Sequence, residues 1–363
     1  MTDLPIRADL VGRSPYGAPQ LDVPVRLNTN ENPFGPSPEL VAELAKVISQ
    51  IGSSLNRYPD RDALALRADL AHYLNSESQA AVTADNIWPA NGSNEVMQQL
   101  LQLFGGPNKL LVTFTPTYSM FEDYCRNTFT NYETVSRNDD FSIDRNVLDQ
   151  ALSRNPDLIV LTSPNNPTGT VLAQSDLAYL MDNFNGILIV DEAYAEFRPS
   201  GVPSAVTKIA SYPRLVVVRT MSKAFSFAGV RLGYAVSQAD IIQALQLVRL
   251  PYHLSKVTQE VARIALKFSA ELQGQVKLLQ SERDSLALWL ADEGFTVAPS
   301  GANFLLFGQF GDRTHTWEQL VTEGVLIREV GPAGWLRVSI GTPEENNKFK
   351  AALLKVTTAK RNN

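Results

Sequence analysis

The run Arg219-Thr-Met-Ser-Lys223-Ala-Phe-Ser-Phe-Ala-Gly-Val-Arg231-Leu-Gly sets one lysine among small hydroxylated residues, directly after the apolar stretch Leu215–Thr220. A lysine leaving the end of a buried strand is poorly solvated. Poor solvation favours the neutral amine, the form that condenses with a carbonyl to an imine. Thr220, Ser222 and Arg231 bring two hydroxyls and a guanidinium close to it, a set suited to a phosphate ester. Taken alone, the same run also fits a lysine that is merely solvated.

Three further runs share this design of an apolar stretch that delivers polar groups. Ile187-Leu-Ile-Val-Asp191-Glu-Ala-Tyr194 ends in a carboxylate, placed where open α/β sheets bind ligands. Burial there demands a cationic partner, and a protonated ring nitrogen would serve, with the Tyr194 hydroxyl directed at an oxygen of the same ring. The same Asp191 would also cap a following helix. In Thr162-Ser-Pro-Asn165-Asn166-Pro-Thr-Gly169, two prolines and a glycine fix a turn that can aim Asn166 at a phenolic oxygen, although an ordinary polar loop reads alike. Ala90-Asn91-Gly92-Ser93-Asn94-Glu95 opens a helix after a glycine turn, so free N–H groups and the positive end of the helix dipole face an anion. Tyr118, after Lys109–Phe114, is suited to stacking on a flat ring or equally to the core.

These side chains need a rigid frame, and the chain is long enough for one. Its 363 residues, 44% hydrophobic and 19% charged, predict a folded protein of about two domains. Short apolar runs at Lys109–Phe114, Leu158–Thr162, Ile187–Val190, Leu215–Thr220 and Arg231–Val236, separated by helices such as Ser175–Asn183, predict a mostly parallel sheet flanked by helices. Before it, residues 1–35 are rich in Pro, Asn and Gly and read as an extended arm. Helices follow at Pro36–Gly52 and Asp62–Leu74. A helical stripe over Ser255–Asp292 is expected to join the two domains, with a dimer coiled coil as the alternative.

The tail then alternates Phe295–Ala298, Phe304–Phe307, helix Thr314–Glu323, Val325–Arg328 and Leu336–Ile340, and ends in a helix from Pro343 with Thr342 as N-cap. The expected division is therefore an arm at 1–35, a large α/β domain at 36–270 and a smaller α+β domain at 271–363.

Composition also excludes some roles. A formal charge of −6 without blocks of like charge argues against nucleic acid and anionic membranes as partners. No basic, apolar leader opens the chain and no run approaches the roughly 20 apolar residues of a membrane span, so a cytoplasmic location is expected. Cys125 is the only cysteine, and His72, His253 and His315 show no ligand spacing, so no metal is expected.

The ordered motifs Gly-Ser-Asn-Glu, Pro-Thr-Tyr, Ser-Pro-Asn-Asn-Pro-Thr-Gly, Val-Asp-Glu-Ala-Tyr, Ser-Lys-Ala-Phe and Arg-Leu-Gly closely resemble those of the fold-type I aminotransferases. The interval 231 − 223 = 8 from Lys223 to Arg231 matches as well. The resemblance implies pyridoxal 5'-phosphate joined to Lys223 and held by Ser93, Asn94, Tyr118, Asn166, Asp191, Tyr194, Thr220, Ser222 and Arg231.

Within that family the chain resembles the histidinol-phosphate aminotransferases over nearly its whole length. The segments that carry this are Arg26-Leu-Asn-Thr-Asn-Glu-Asn-Pro33, Asn56-Arg-Tyr-Pro-Asp60, Arg249-Leu-Pro-Tyr-His-Leu-Ser255, Ala302-Asn-Phe304, Val325-Leu-Ile-Arg328 and Leu336-Arg337. Aromatic aminotransferases share several of them. The resemblance implies a homodimer in which Tyr58 reaches the cofactor phosphate of the partner subunit, with histidinol phosphate and 2-oxoglutarate or glutamate as substrates. Both substrates carry two anionic charges, and Arg328 and Arg337, each at a predicted strand, can bind them, with Tyr16 and Asn303 as further contacts. For Arg328 a surface salt bridge is the competing reading.

The expected alternatives are an aromatic amino-acid aminotransferase, a carbon–sulfur lyase or decarboxylase with the same cofactor, and a regulator on this fold. The regulator would need an added DNA-binding domain, for which the residues before 26 leave no room.

Overall fold

A computed structural model describes residues 4–361; Met1–Asp3, where the expected arm begins, and Asn362–Asn363, where the expected small domain ends, lie outside the described residues. The arm carries one 3-10 turn at Ala8–Leu10 and ends in a short strand, β1 (Val25–Arg26). Seven strands follow as one sheet: β2 (Ile87–Ala90), β3 (Leu110–Thr115), β4 (Asn131–Ser136), β5 (Leu158–Thr162), β6 (Ile187–Asp191), β7 (Leu215–Thr220) and β8 (Gly233–Ser237). Their spatial order is β2-β8-β7-β6-β5-β3-β4. Only β8 runs against its neighbours, and the remaining pairs are parallel.

Every residue of β5, β7 and β8 is buried. Alternate side chains feed two different cores, Leu158 and Val160 into one, Ile159 and Leu161 into the other. Helices cover both faces, which is why these strands read as unbroken apolar runs rather than alternating ones. The edge strand β4 is mostly polar and exposed, a composition that blunts edge pairing.

A second, antiparallel sheet has the order β12-β10-β9, from β9 (Thr296–Val297), β10 (Phe304–Gly308) and β12 (Trp335–Ser339), while β11 (Val325–Leu326) pairs in parallel with β1. The end of the arm is thus hydrogen-bonded to the C-terminal third of the chain. The last helix, Pro343–Arg361, is capped reciprocally: the Glu345 amide donates to Thr342 Oγ1 (3.2 Å) and the Thr342 amide to the Glu345 carboxylate (2.8 Å).

The single long helix expected over Ser255–Asp292 is instead two, Lys256–Lys267 and Ser269–Asp292. Phe268, at φ −97° and ψ 14°, leaves the helical region between them and packs on the core. The apolar stripe runs through the junction unbroken, so spacing alone could not reveal the break. Among the described residues no helix is long and apolar enough to cross a membrane.

Beneath the sheet ends lies a buried ion cluster. Arg219, fully buried on β7, pairs with Glu77 (3.1 Å), Glu192 (2.8 Å) and Glu196 (2.9 Å), and Arg198 pairs with Glu77 (2.9 Å). Ser204 Oγ donates to Glu192 and the Tyr73 hydroxyl to Glu196. Glu192 and Glu196 bracket the turn after β6, so the cluster fixes the backbone that carries Asp191 and Tyr194.

Removing the central guanidinium would leave buried carboxylates unpaired. Arg219→Ala should therefore destabilise the fold by about 3–5 kcal/mol in denaturant titration. The deficit should narrow as pH falls toward 5, because protonation discharges the orphaned carboxylates while the native pairs lose their advantage. A deficit independent of pH would exclude this electrostatic account.

Candidate active site

Strand order turns back between β3 and β5, and the carboxyl ends of β3, β5, β6 and β7 open there onto a cavity of about 290 Å³. Lys223, Ser93, Asn94, Tyr118, Asn166, Asp191, Tyr194, Thr220, Ser222, Arg231, Tyr16, Arg328 and Arg337 all line it. Two of the expected residues do not. Asn303 lies beneath the arm, its amide donating to the carbonyl of Asn30 (3.0 Å). Tyr58 stands away from the cavity, 79% exposed and stacked on Tyr252 at 4.3 Å.

Lys223 follows β7 and donates from Nζ to the Thr29 carbonyl at 2.9 Å. Burial, reinforced by the nearby charge of Arg337, pushes its ammonium down to about 8. Across the cavity Asp191 closes β6. Its carboxylate accepts the Ala193 amide (3.0 Å), has no cation partner among the described residues, and is pushed up to about 6 by burial. Such a carboxylate is built for a cation that arrives with a ligand.

The Tyr194 hydroxyl accepts the Asn30 amide at 2.9 Å and burial holds its proton more tightly than usual. Asn166 presents its oxygen to Arg337 Nη1, since a guanidinium can only donate, and so has its NH2 group left to donate elsewhere. Tyr118 meets Tyr16 edge-on at 6.2 Å.

Opposite Asp191, helix Ser93–Phe104 begins at Gly92 with no side-chain cap. Two glycines make room for this end. A Cβ on Gly92 would come within 2.7 Å of Arg231 Nη2, and one on Gly233 within 2.1 Å of the Ser93 amide nitrogen. Arg231, held in the left-handed region at φ 61°, thereby reaches the helix N-terminus, and the Thr220 and Ser222 hydroxyls, 3.0 Å apart, line the same cavity. Uncapped amides, a guanidinium and two hydroxyls form an anion cup.

A second anion-binding surface faces it. Arg328 and Arg337 are backbone-paired through two bonds of 2.9 Å, and Arg328 Nη2 donates to the Gly17 carbonyl (3.2 Å). Among the described residues, Arg328 Nη1 and Arg337 Nε are buried without a partner, and neither arginine forms an ion pair. Burial, with Arg328 adding to it, pushes Arg337 down to about 10. A flat ring bearing a carbonyl, a phosphate and a basic nitrogen would meet Lys223, the cup and Asp191 together.

The arm supplies lining residues that motif reading passed over: Asn28, Thr29 and Asn30. Their signal was the density of asparagine in Asn28-Thr-Asn-Glu-Asn32, a stretch with no period to explain it.

Residues 23–353 match the family model described as aminotransferase class I and II. The chain is 53% identical over 357 residues to histidinol-phosphate aminotransferase 3 of Burkholderia lata, covering 98% of this chain and 96% of that one. It is 52% identical to the histidinol-phosphate aminotransferase of Thermobifida fusca, with 98% and 96% covered. Among solved structures it resembles the histidinol-phosphate aminotransferase of Sinorhizobium meliloti in complex with pyridoxal-5'-phosphate, with a TM-score of 0.81, 25% identity, and 93% and 92% of the two chains covered.

Since Lys223 must be neutral to attack a carbonyl, borohydride trapping of a small aromatic aldehyde at this residue should rise about tenfold per pH unit below 8 and level above it. Mass spectrometry of the labelled peptide measures this; a rise that continues to about 10.5 would exclude a desolvated lysine.

Proposed function

The chain belongs to the class I and II aminotransferases, and we propose that it transfers the amino group of L-histidinol phosphate to 2-oxoglutarate, giving imidazole-acetol phosphate and glutamate in histidine biosynthesis. The observation that carries the substrate is the pair of adjoining guanidiniums, Arg328 and Arg337, without a carboxylate partner among the described residues. Histidinol phosphate has a phosphate where an amino acid has its α-carboxylate, and 2-oxoglutarate has two carboxylates. One arginine would suffice for a monoanion; two suit both halves of a ping-pong exchange through a single site. The aromatic amino-acid alternative is not favoured, because relatives at 50–53% identity bear the histidinol-phosphate name.

Pyridoxal 5'-phosphate fits the cavity's chemistry, and when bound it supplies an electron-poor ring that accepts the electron pair released at the substrate's α-carbon. The anion cup of Ser93, Asn94, Thr220, Ser222 and Arg231 holds its phosphate. Asp191 keeps its ring nitrogen protonated, Tyr194 and Asn166 donate to its ring oxygen, and Tyr118 packs on its face. Lys223 would hold it covalently through its amine. When not so engaged, the Lys223 amine would be the base that takes the substrate's α-proton. Arg328 and Arg337 orient the substrate, and Tyr16 covers it from the arm.

We also infer a homodimer in which Tyr58 reaches the phosphate bound in the other copy. Support comes from its exposure at 79% together with Leu247 at 82% and Leu250 at 72%, residues that a partner would cover. A cytoplasmic enzyme is consistent with this role.

The deciding experiment follows cofactor absorbance as L-histidinol phosphate or L-phenylalanine is added without keto acid. Conversion should be faster with histidinol phosphate, and a preference for phenylalanine would assign the chain to aromatic substrates instead. Lys223→Ala should abolish turnover. Arg328→Ala should reduce kcat/KM for histidinol phosphate by about 10- to 100-fold, the loss of one charge-assisted contact, and for phenylalanine far less. Equal losses would exclude a phosphate-directed role.

A further inference from the structure

Asn30 is buried, yet it is polar and stands in the left-handed region at φ 55°. Few residues tolerate that backbone, and asparagine is one of them. Its side chain spends both ends on named partners. Oδ1 accepts the Ser339 hydroxyl proton at 2.9 Å and Nδ2 donates to the Tyr194 hydroxyl oxygen at 2.9 Å. A third bond, from the Asn30 amide to Ser339 Oγ (2.9 Å), ties the same serine to the arm backbone.

These bonds have a direction. Ser339 Oγ accepts from the Asn30 backbone N–H and donates its own proton to Asn30 Oδ1, which leaves the Nδ2 end of the side chain facing Tyr194. Because that end is NH2, the tyrosine oxygen is an acceptor there and its proton must point elsewhere. Tyr194 lines the cavity, and its ring is held edge-on to Phe304 at 5.1 Å. The remaining direction for the proton is the cavity.

We propose that Asn30 is a positioning residue that polarises Tyr194, forcing its hydroxyl to donate into the active site. The inference rests on the reading that Tyr194 donates to the cofactor's ring oxygen, and it adds the residue that sets the donor's direction. It also connects two parts of the site. Ser339 lies two residues beyond Arg337 on β12, and Arg337 Nη2 donates to the Asn28 carbonyl at 2.8 Å. The strand that binds the substrate anion is thus bonded at both residues to the arm segment that orients Tyr194.

The test is N30D, which keeps size and left-handed tolerance but replaces the donor by an acceptor, so that the Tyr194 proton turns away from the cavity. The readout is the pH midpoint of the holoenzyme's visible absorbance. A hydrogen bond donated to the ring oxygen stabilises its anionic form and keeps the midpoint low. N30D should raise the midpoint by about one pH unit, the size of one charge-assisted hydrogen bond. Y194F should raise it similarly, and the double variant no further than Y194F alone. S339A, which frees the amide to rotate, should give a smaller shift in the same direction and guards against N30D failing to fold.

A purely structural role for Asn30 predicts a lower melting temperature with an unmoved midpoint. If Y194F shifts the midpoint while N30D and S339A do not, the polarising role is wrong and the assignment of Tyr194 stands. If Y194F itself leaves the midpoint unchanged, the assignment of Tyr194 fails and takes this inference with it.

Discussion

A carboxylate buried at the end of β6 with no cation beside it among the described residues is the constraint around which this molecule is arranged. Burying an ionised carboxylate without a partner is costly, and proteins normally pair it or neutralise it. Asp191 has one backbone amide and is pushed up to about 6, still low enough to be charged at neutral pH. The chain shows that it can neutralise buried charge when stability alone is at stake: Arg219, immediately below, meets three glutamates. The contrast between Asp191 and the neighbouring Glu192, which pairs with Arg219, sets the unpaired carboxylate apart.

The same asymmetry holds for the cations. Lys223 is pushed down to about 8, Arg337 down to about 10, and Arg328 and Arg337 each keep a buried nitrogen unsatisfied. If these groups collapsed onto Asp191 the cavity would close and its chemistry would vanish. What keeps them apart is rigid covalent geometry. Asp191 and Lys223 emerge from adjacent parallel strands, whereas the two arginines come from a different sheet, held by paired backbone bonds. Mutual attraction is then available only through whatever fills the space between.

The strand runs were legible because full burial on both faces forces continuous apolar sequence. Leu158–Thr162 and Leu215–Thr220 fall at their expected ends. The cup was legible because a glycine turn before a helix leaves a recognisable pattern, although the reason for Gly233 was not, since it depends on a contact with Ser93 distant in sequence. Breaks that spare the periodicity were invisible, as at Phe268. So was the edge strand β4, whose polar, exposed residues lack the apolar signature of its neighbours. Asn303, expected at the substrate, donates to the arm carbonyl of Asn30 and is not among the residues that line the cavity, a placement that turns on tertiary contacts alone. Tyr58 stands outside the cavity, stacked on Tyr252, so its proposed reach toward the phosphate of another copy has no counterpart within one chain.

The arm is the part of the chain where sequence reasoning and structure diverge most instructively. Without helical or strand period, residues 28–32 read as part of an extended arm, yet they touch Lys223, Tyr194, Arg337, Ser339 and Asn303. A segment with no regular structure must find partners for every buried backbone group outside itself. Here those partners are the functional side chains. The Thr29 carbonyl accepts from Lys223 and the Asn28 carbonyl from Arg337, two of the cations that line the cavity. The arm's own hydrogen-bond requirement is therefore met by donors that line the cavity, which ties the position of residues 28–30 to those side chains.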